Sequence, residues 1–214
     1  MIDILYASAE VENLCRDLSY VEAVYAMNKV SQDYLVRPMG IFQLIDYVGV
    51  DVCSFIMSVM TRHLKEETLH CPLLDNLLAQ GVKGGQFSDG SQKDGVLKYE
   101  KGRPVAIYDP GTKVYVPISD FQSKVDQKLG DMPPAPAWKT VVGHKAKHEI
   151  LTDYFTLLKT AESMGAELAR AYAVRSNTIG LQLINSGVAL NENDVNTVML
   201  TGFFHAYGPI NKYL

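Results

Sequence analysis

The chain is 214 residues long, 47% hydrophobic and 21% charged, which suits a real core and excludes wholesale disorder. A net charge of -4 and a pI near 5.7 argue against a dedicated nucleic-acid binder, which carries a basic excess. Three widely spaced cysteines, Cys15, Cys53 and Cys71, exclude a disulfide scaffold or a CxxC zinc site.

The predicted elements begin with helix. Ser19-Tyr20-Val21-Glu22 has the capping-box spacing, and apolar residues recur at helical spacing from Val21 to about Val36. Pro38 stops that pattern, because the residue before a proline is pushed out of the α region. Gly40 and the apolar segment Ile41–Val48 follow. Gly49 breaks the chain, and Asp51 is the expected N-cap of a helix to about Glu66. Pro72 opens another short helix to about Gln80. From Gly81 to Gly95 small and polar residues dominate, which predicts an exposed loop. Three β-like pieces come next, 96–100, 105–108 and 113–116, separated by Lys101-Gly102 and Asp109-Pro110-Gly111. Ser119-Asp120-Phe121-Gln122 predicts a capping box and a helix fading at Gly130. The run Pro133–Ala137 is stiff and extended. Beyond Trp138 the pattern predicts a helix to about Ser163, another to Ser186, and a third capped by Asn191 and ending near His205.

The expected organisation is a mainly α chain. Residues 1–130 make a first helical unit with a loop and β meander at about 81–118, residues 131–138 a Pro-rich linker, and residues 139–214 a second helical unit. The two halves echo each other. Ile4–Ala9, Leu18–Val21 and Pro38–Ile41 read against Leu183–Val188, Asn191–Val195 and Tyr207–Ile210.

One stretch carries more information than its neighbours. Arg37-Pro38-Met39-Gly40-Ile41-Phe42-Gln43-Leu44-Ile45-Asp46-Tyr47-Val48-Gly49-Val50-Asp51 resembles the signature of the C-terminal helical domain of 3-hydroxyacyl-CoA dehydrogenases, with Ile41 and Gln43 departing from the family's proline and glutamate. Tyr207-Gly208-Pro209-Ile210 keeps the Gly-Pro that the early copy lost, and Leu97–Lys101 is similar to the family's aromatic-rich closing segment. The resemblance implies two tandem helical units of that domain, with the N-terminal Rossmann domain absent. It implies NAD-dependent oxidation of an (S)-3-hydroxyacyl-CoA, in fatty-acid β-oxidation or hydroxybutyryl-CoA metabolism. NAD and the histidine–glutamate pair that handles the proton would belong to the Rossmann domain of the same protein, and none of this chain's residues is implied as catalytic. This chain would supply acyl-chain contacts, with Met39, Gly40 and Leu44 as the candidates, and contacts within a homo-oligomer. Met1 stands where the middle of the family's first helix is expected, so a C-terminal piece is anticipated. The alternative is a free-standing, non-catalytic module that binds a protein partner or a CoA ester.

Other constellations read as weaker. No G-x-G-x-x-G turn lies between a strand and a helix, and Gly81-Val82-Lys83-Gly84-Gly85 lacks a phosphate-loop ending. His144 and His148 stand at i, i+4 on an expected helix, a spacing that can hold a metal but lacks a third ligand. His63 and His70 flank Lys65-Glu66-Glu67 at a helix end. Cys53 reads as a buried small hydrophobe. Cys71, beside His70, reads as the more accessible thiol. Asp46 reads as a local cap or pair, His205 as a packed histidine at the core edge, and Trp138 as a pin for the Pro-rich linker. No apolar run reaches the roughly 18 residues of a membrane span, and the N-terminus lacks signal-peptide features. A cytoplasmic location without membrane partners is therefore expected.

Overall fold

The computed structural model describes residues 1–63 and 69–214. The expected end of the helix at Glu66, and Lys65 to Glu67, lie outside the described residues. The chain divides into two units. One comprises Met1–Asn28 and Ile41–Asp126, the other Lys29–Gly40 and Gln127–Leu214.

The first unit opens with α1 (Ile2–Leu14), which buries Ile4, Ala7, Val11 and Leu14 on one face. In α2 (Tyr20–Lys29), Glu22 reaches back to the Ser19 amide at 2.8 Å, the reciprocal half of a capping box. The predicted continuation to Val36 is not regular: Val30–Tyr34 is a π-helical turn. Then α3 (Ile41–Val48) meets α4 (Val50–His63) across Gly49, whose φ of 104° is open to glycine. Asp51 lies inside the first turn of α4 instead of capping it, because Gly49 alone makes the break. Pro72 opens α5 (Pro72–Ala79) at its first turn, where a missing N–H costs nothing.

The predicted meander forms. Strands β1 (Leu97–Glu100), β2 (Arg103–Asp109) and β3 (Val114–Pro117) make an antiparallel sheet in that order. A register shift between Lys98 and Tyr99 marks a bulge. Helix α6 (Gln122–Leu129), within which the first unit ends at Asp126, follows a 3-10 turn at Ile118–Asp120. The expected Ser119 box is not made, since the Ser119 hydroxyl bonds its neighbour Asp120 at 3.1 Å.

In the second unit a short α7 (Trp138–Val141) precedes α8 (Lys147–Thr160). The single helix predicted from Trp138 to Ser163 is thus two, interrupted by the turn around Gly143. Ser163 then caps α9 (Met164–Asn185) by accepting the Ala166 amide, and Asn191 caps α10 (Glu192–Gly202). Segment 29–40 belongs to this unit for local reasons. Tyr34 is buried, and its phenol occupies the space that a Cβ on Gly165 would need. The hydroxyl of Tyr154 donates to the Tyr34 carbonyl, and that of Tyr207 to the Leu35 carbonyl, both at 2.8 Å. Gly165 is therefore the seat of an aromatic ring inside the first turn of α9. Among the described residues, no single helix is long and apolar enough to cross a membrane.

The internal echo has a geometric basis. In the first unit the Asn28 side chain accepts the Phe42 amide at 3.0 Å, and in the second the Asn196 side chain accepts the Ile210 amide at 3.0 Å. Both bonds span 14 residues. Eight residues after each asparagine stands a non-glycine residue at positive φ, Val36 at 49° and Phe204 at 53°. Gly40 therefore corresponds to Gly208, and the same offset sets Ile4–Ala9 against 172–177 and Leu18–Val21 against 186–189, not against Leu183–Val188 and Asn191–Val195 as expected. Ser8 and Ser176, each twenty residues before its asparagine, are both buried polar groups.

Candidate functional site

The signature stretch is held from two directions. Asn28 on α2 caps α3 from a distance, accepting the amides of Phe42 and Gln43 at 3.0 and 3.2 Å. These are orphan donors of a helix start, and α3 has no cap of its own. Asn28→Ala is expected to lower stability by about 1–2 kcal/mol, and Asn28→Asp, which keeps the acceptor, by much less. Urea midpoints of the two variants test this.

Asp46 holds the other end, and it is fully buried. Its carboxylate accepts the amides of Val96 at 2.6 Å and Leu97 at 2.8 Å, and the Tyr99 hydroxyl at 3.0 Å. Its carbonyl accepts the Gly85 amide at 2.7 Å and the Gln92 side chain at 2.9 Å. The expected local cap or pair is thus a long-range anchor, tying α3 to a segment some fifty residues later. That segment is more ordered than an open loop. Gln86 and Gln92 form an isolated antiparallel bridge, and Lys93 lies over the Phe87 ring at 5.3 Å. Gly95 has no room for a side chain, because the Asp46 carboxylate occupies it.

The candidate acyl contacts are distributed between the units. Met39, half-buried, and Gly40, buried, belong to the second unit, and Leu44 is half-buried on α3 of the first. Phe42 and Ile45 on the same helix face the core.

The other singled-out groups find packing or structural partners. His148 shares a hydrogen bond of 2.7 Å with the Tyr213 hydroxyl, and His144 sits in the turn before α8, where its Nδ1 accepts the Ala146 amide. The two histidines do not share a helix face, and no group of three metal-ligating side chains occurs among the described residues. His70 pairs with Asp75 at 2.7 Å. Cys71 is buried beside it, against expectation, because it precedes Pro72 at the covered start of α5. Cys53 is buried and Cys15 exposed. Trp138 donates to the Phe204 carbonyl at 2.7 Å. Burial, and then the Arg37 charge, push the His205 imidazole down to about 3, so it is neutral at physiological pH. Arg37 itself lies over the Tyr172 ring at 4.8 Å, a contact that sequence reasoning missed.

The glycine cluster 81–85 does not fit a dinucleotide. It follows α5 and leads into the bridged segment, and the Gly85 amide is taken by the Asp46 carbonyl. A cradle for pyrophosphate needs free amides at a helix start. The cluster therefore offers no pyrophosphate cradle.

Comparison with known proteins bears on the stretch that holds these anchors. The model of the 3-hydroxyacyl-CoA dehydrogenase C-terminal domain matches residues 20–109. That matched segment is less than half of the chain. It contains Asn28, the Pro38–Val50 stretch, Asp46 and the sheet strands β1 and β2. Two Caenorhabditis elegans proteins, each named a probable 3-hydroxyacyl-CoA dehydrogenase, are similar over part of their length. One is 41% identical over 58 residues, covering 26% of this chain and 19% of the relative. The other is 39% identical over 56 residues, covering 25% and 19%. The matched region is thus about a fifth of each relative. No solved structure matches the chain.

Proposed function

We propose that this chain is the helical part of an NAD-dependent (S)-3-hydroxyacyl-CoA dehydrogenase, acting in fatty-acid β-oxidation or hydroxybutyryl-CoA metabolism. The observation that carries the reading is the family match over residues 20–109, which contains the doubly anchored signature stretch. NAD would supply the hydride acceptor for C3 of the substrate, and both the cofactor and the proton-handling pair are assigned to a Rossmann domain of the same protein. The residues here supply walls and position. Met39 offers a flexible, polarizable side chain, Gly40 a close backbone approach, and Leu44 an apolar surface for the acyl chain. Subunit contacts in a homo-oligomer are a further proposed role, in the cytoplasm.

In the intact dehydrogenase, Leu44→Ala and Met39→Ala are expected to raise KM for longer acyl-CoA substrates several-fold. A lost buried methylene group is worth about 0.8 kcal/mol, roughly fourfold in affinity. The shortest substrate should be nearly unaffected. Steady-state kinetics over a series of chain lengths tests this, and an equal effect at every length would remove both residues from the acyl path.

A further inference from the structure

We propose that the Asp46 carboxyl and segment 84–97 form a proton-linked latch, closed most tightly when the carboxyl holds a proton and loosened when it ionises. The geometry comes first. The carboxyl is fully buried at the junction of α3, the bridged segment and β1, and all three of its donors are neutral. Among the described residues, the titratable groups that act with it from the surrounding elements are acids, phenols and a thiol, and the Met1 ammonium acts on that thiol. They are Asp94 in the segment, Tyr99 on β1, Tyr115 on β3, Cys53 on α4 and Tyr20 on α2. Lys93, the nearby cation in the segment, is drawn to the Phe87 ring.

Both protonation states can be satisfied in the closed form. When ionised, the carboxylate accepts from Val96, Leu97 and Tyr99. When protonated, it donates through Oδ2 to the Tyr99 oxygen, whose own proton rotates away, while Oδ1 keeps the Val96 amide and the remaining lone pair of Oδ2 accepts the Leu97 amide. The difference is the charge. Burial outweighs the three donors, and Asp94 adds repulsion, so the closed form holds the carboxyl up at about 7, against an ordinary value of 3.8. Opening the segment hydrates the group and returns it toward that ordinary value. Between about pH 4 and pH 7, opening therefore releases a proton and becomes about tenfold easier per pH unit. Below that window both forms are protonated, above it both are ionised, and the opening constant is flat.

The test uses the full chain. Carbon-detected NMR of labelled aspartate carboxyls should place the Asp46 midpoint near 7. Amide exchange at Gly85, Val96 and Leu97, corrected for intrinsic rates, should lose about tenfold in protection per unit from pH 5 to 7 and then level off. Amides of α1 should not follow, and Asp46→Asn should abolish the slope. A midpoint below 5 overturns the latch, as does pH-independent protection or an equal loss in α1. The NMR midpoint and the exchange slope are both read on the wild-type chain, so they decide the matter even where the variant folds poorly.

Discussion

Asp46→Ala is expected to destabilise the first unit by about 3–5 kcal/mol, among the largest effects of any single substitution. The change leaves the amides of Val96 and Leu97 and the Tyr99 hydroxyl without their acceptor. Each buried donor left unsatisfied costs about 1–3 kcal/mol. Removing a buried charge gives some of this back, because the closed form disfavours the ionised group. That gain is the smaller one, since burial already holds the carboxyl up and keeps part of it protonated at neutral pH. Asp46→Asn keeps one acceptor but turns an NH2 group toward the Leu97 amide and the Tyr99 hydroxyl, so it should fall between alanine and wild type. Chemical denaturation followed by tyrosine fluorescence, with exchange at Val96 and Leu97 as a local probe, checks the order.

Gly165→Ala is expected to destabilise the second unit by about 1–3 kcal/mol, although alanine is the better helix former. Two effects compete. Replacing glycine by alanine within a helix favours folding by roughly 1 kcal/mol. Against that, the new Cβ would occupy the space of the Tyr34 phenol, which is buried and held within the unit. Overpacking of this kind costs about 1–3 kcal/mol, and a ring has fewer ways to give than an aliphatic side chain. Tyr34→Leu in the same chain frees that space and should recover much of the loss. Thermal unfolding of the single and double variants reads the coupling directly, and a Gly165→Ala chain more stable than wild type would contradict the packing.

Much of the architecture was legible because local chemistry specified it. Pro72 at a helix start, Asn191 as a cap, and the turn residues between the three strands all act within a few residues of themselves. What was not legible depended on distance. Asp46 reads as a lone acid on an apolar helix, and nothing nearby in sequence points to Val96, Leu97 and Tyr99 as its partners. Asn28 reads as one more position on α2, yet it caps a helix 14 residues on. The break at Gly143 was missed because the residues around it carry an acceptable helical pattern, and nothing near Gly165 in sequence points to the Tyr34 ring seated on it. The expected pairing of the halves was out of register in all three segments for the same reason: the shared feature is an asparagine bond, not a shared string of letters. Of the candidate site, the signature stretch was readable from its own residues, whereas the anchors that shape it came from elsewhere in the chain.

The proposed function is best tested by NADH formation from NAD and (S)-3-hydroxybutyryl-CoA, using the natural polypeptide that carries these 214 residues, isolated from its source with an antibody to the first unit. Turnover is expected from that polypeptide and none from the 214 residues alone, with Leu44→Ala altering chain-length preference in the active form. A natural polypeptide that yields no NADH with any 3-hydroxyacyl-CoA would contradict the proposal, and so would NAD-dependent turnover by the 214 residues alone.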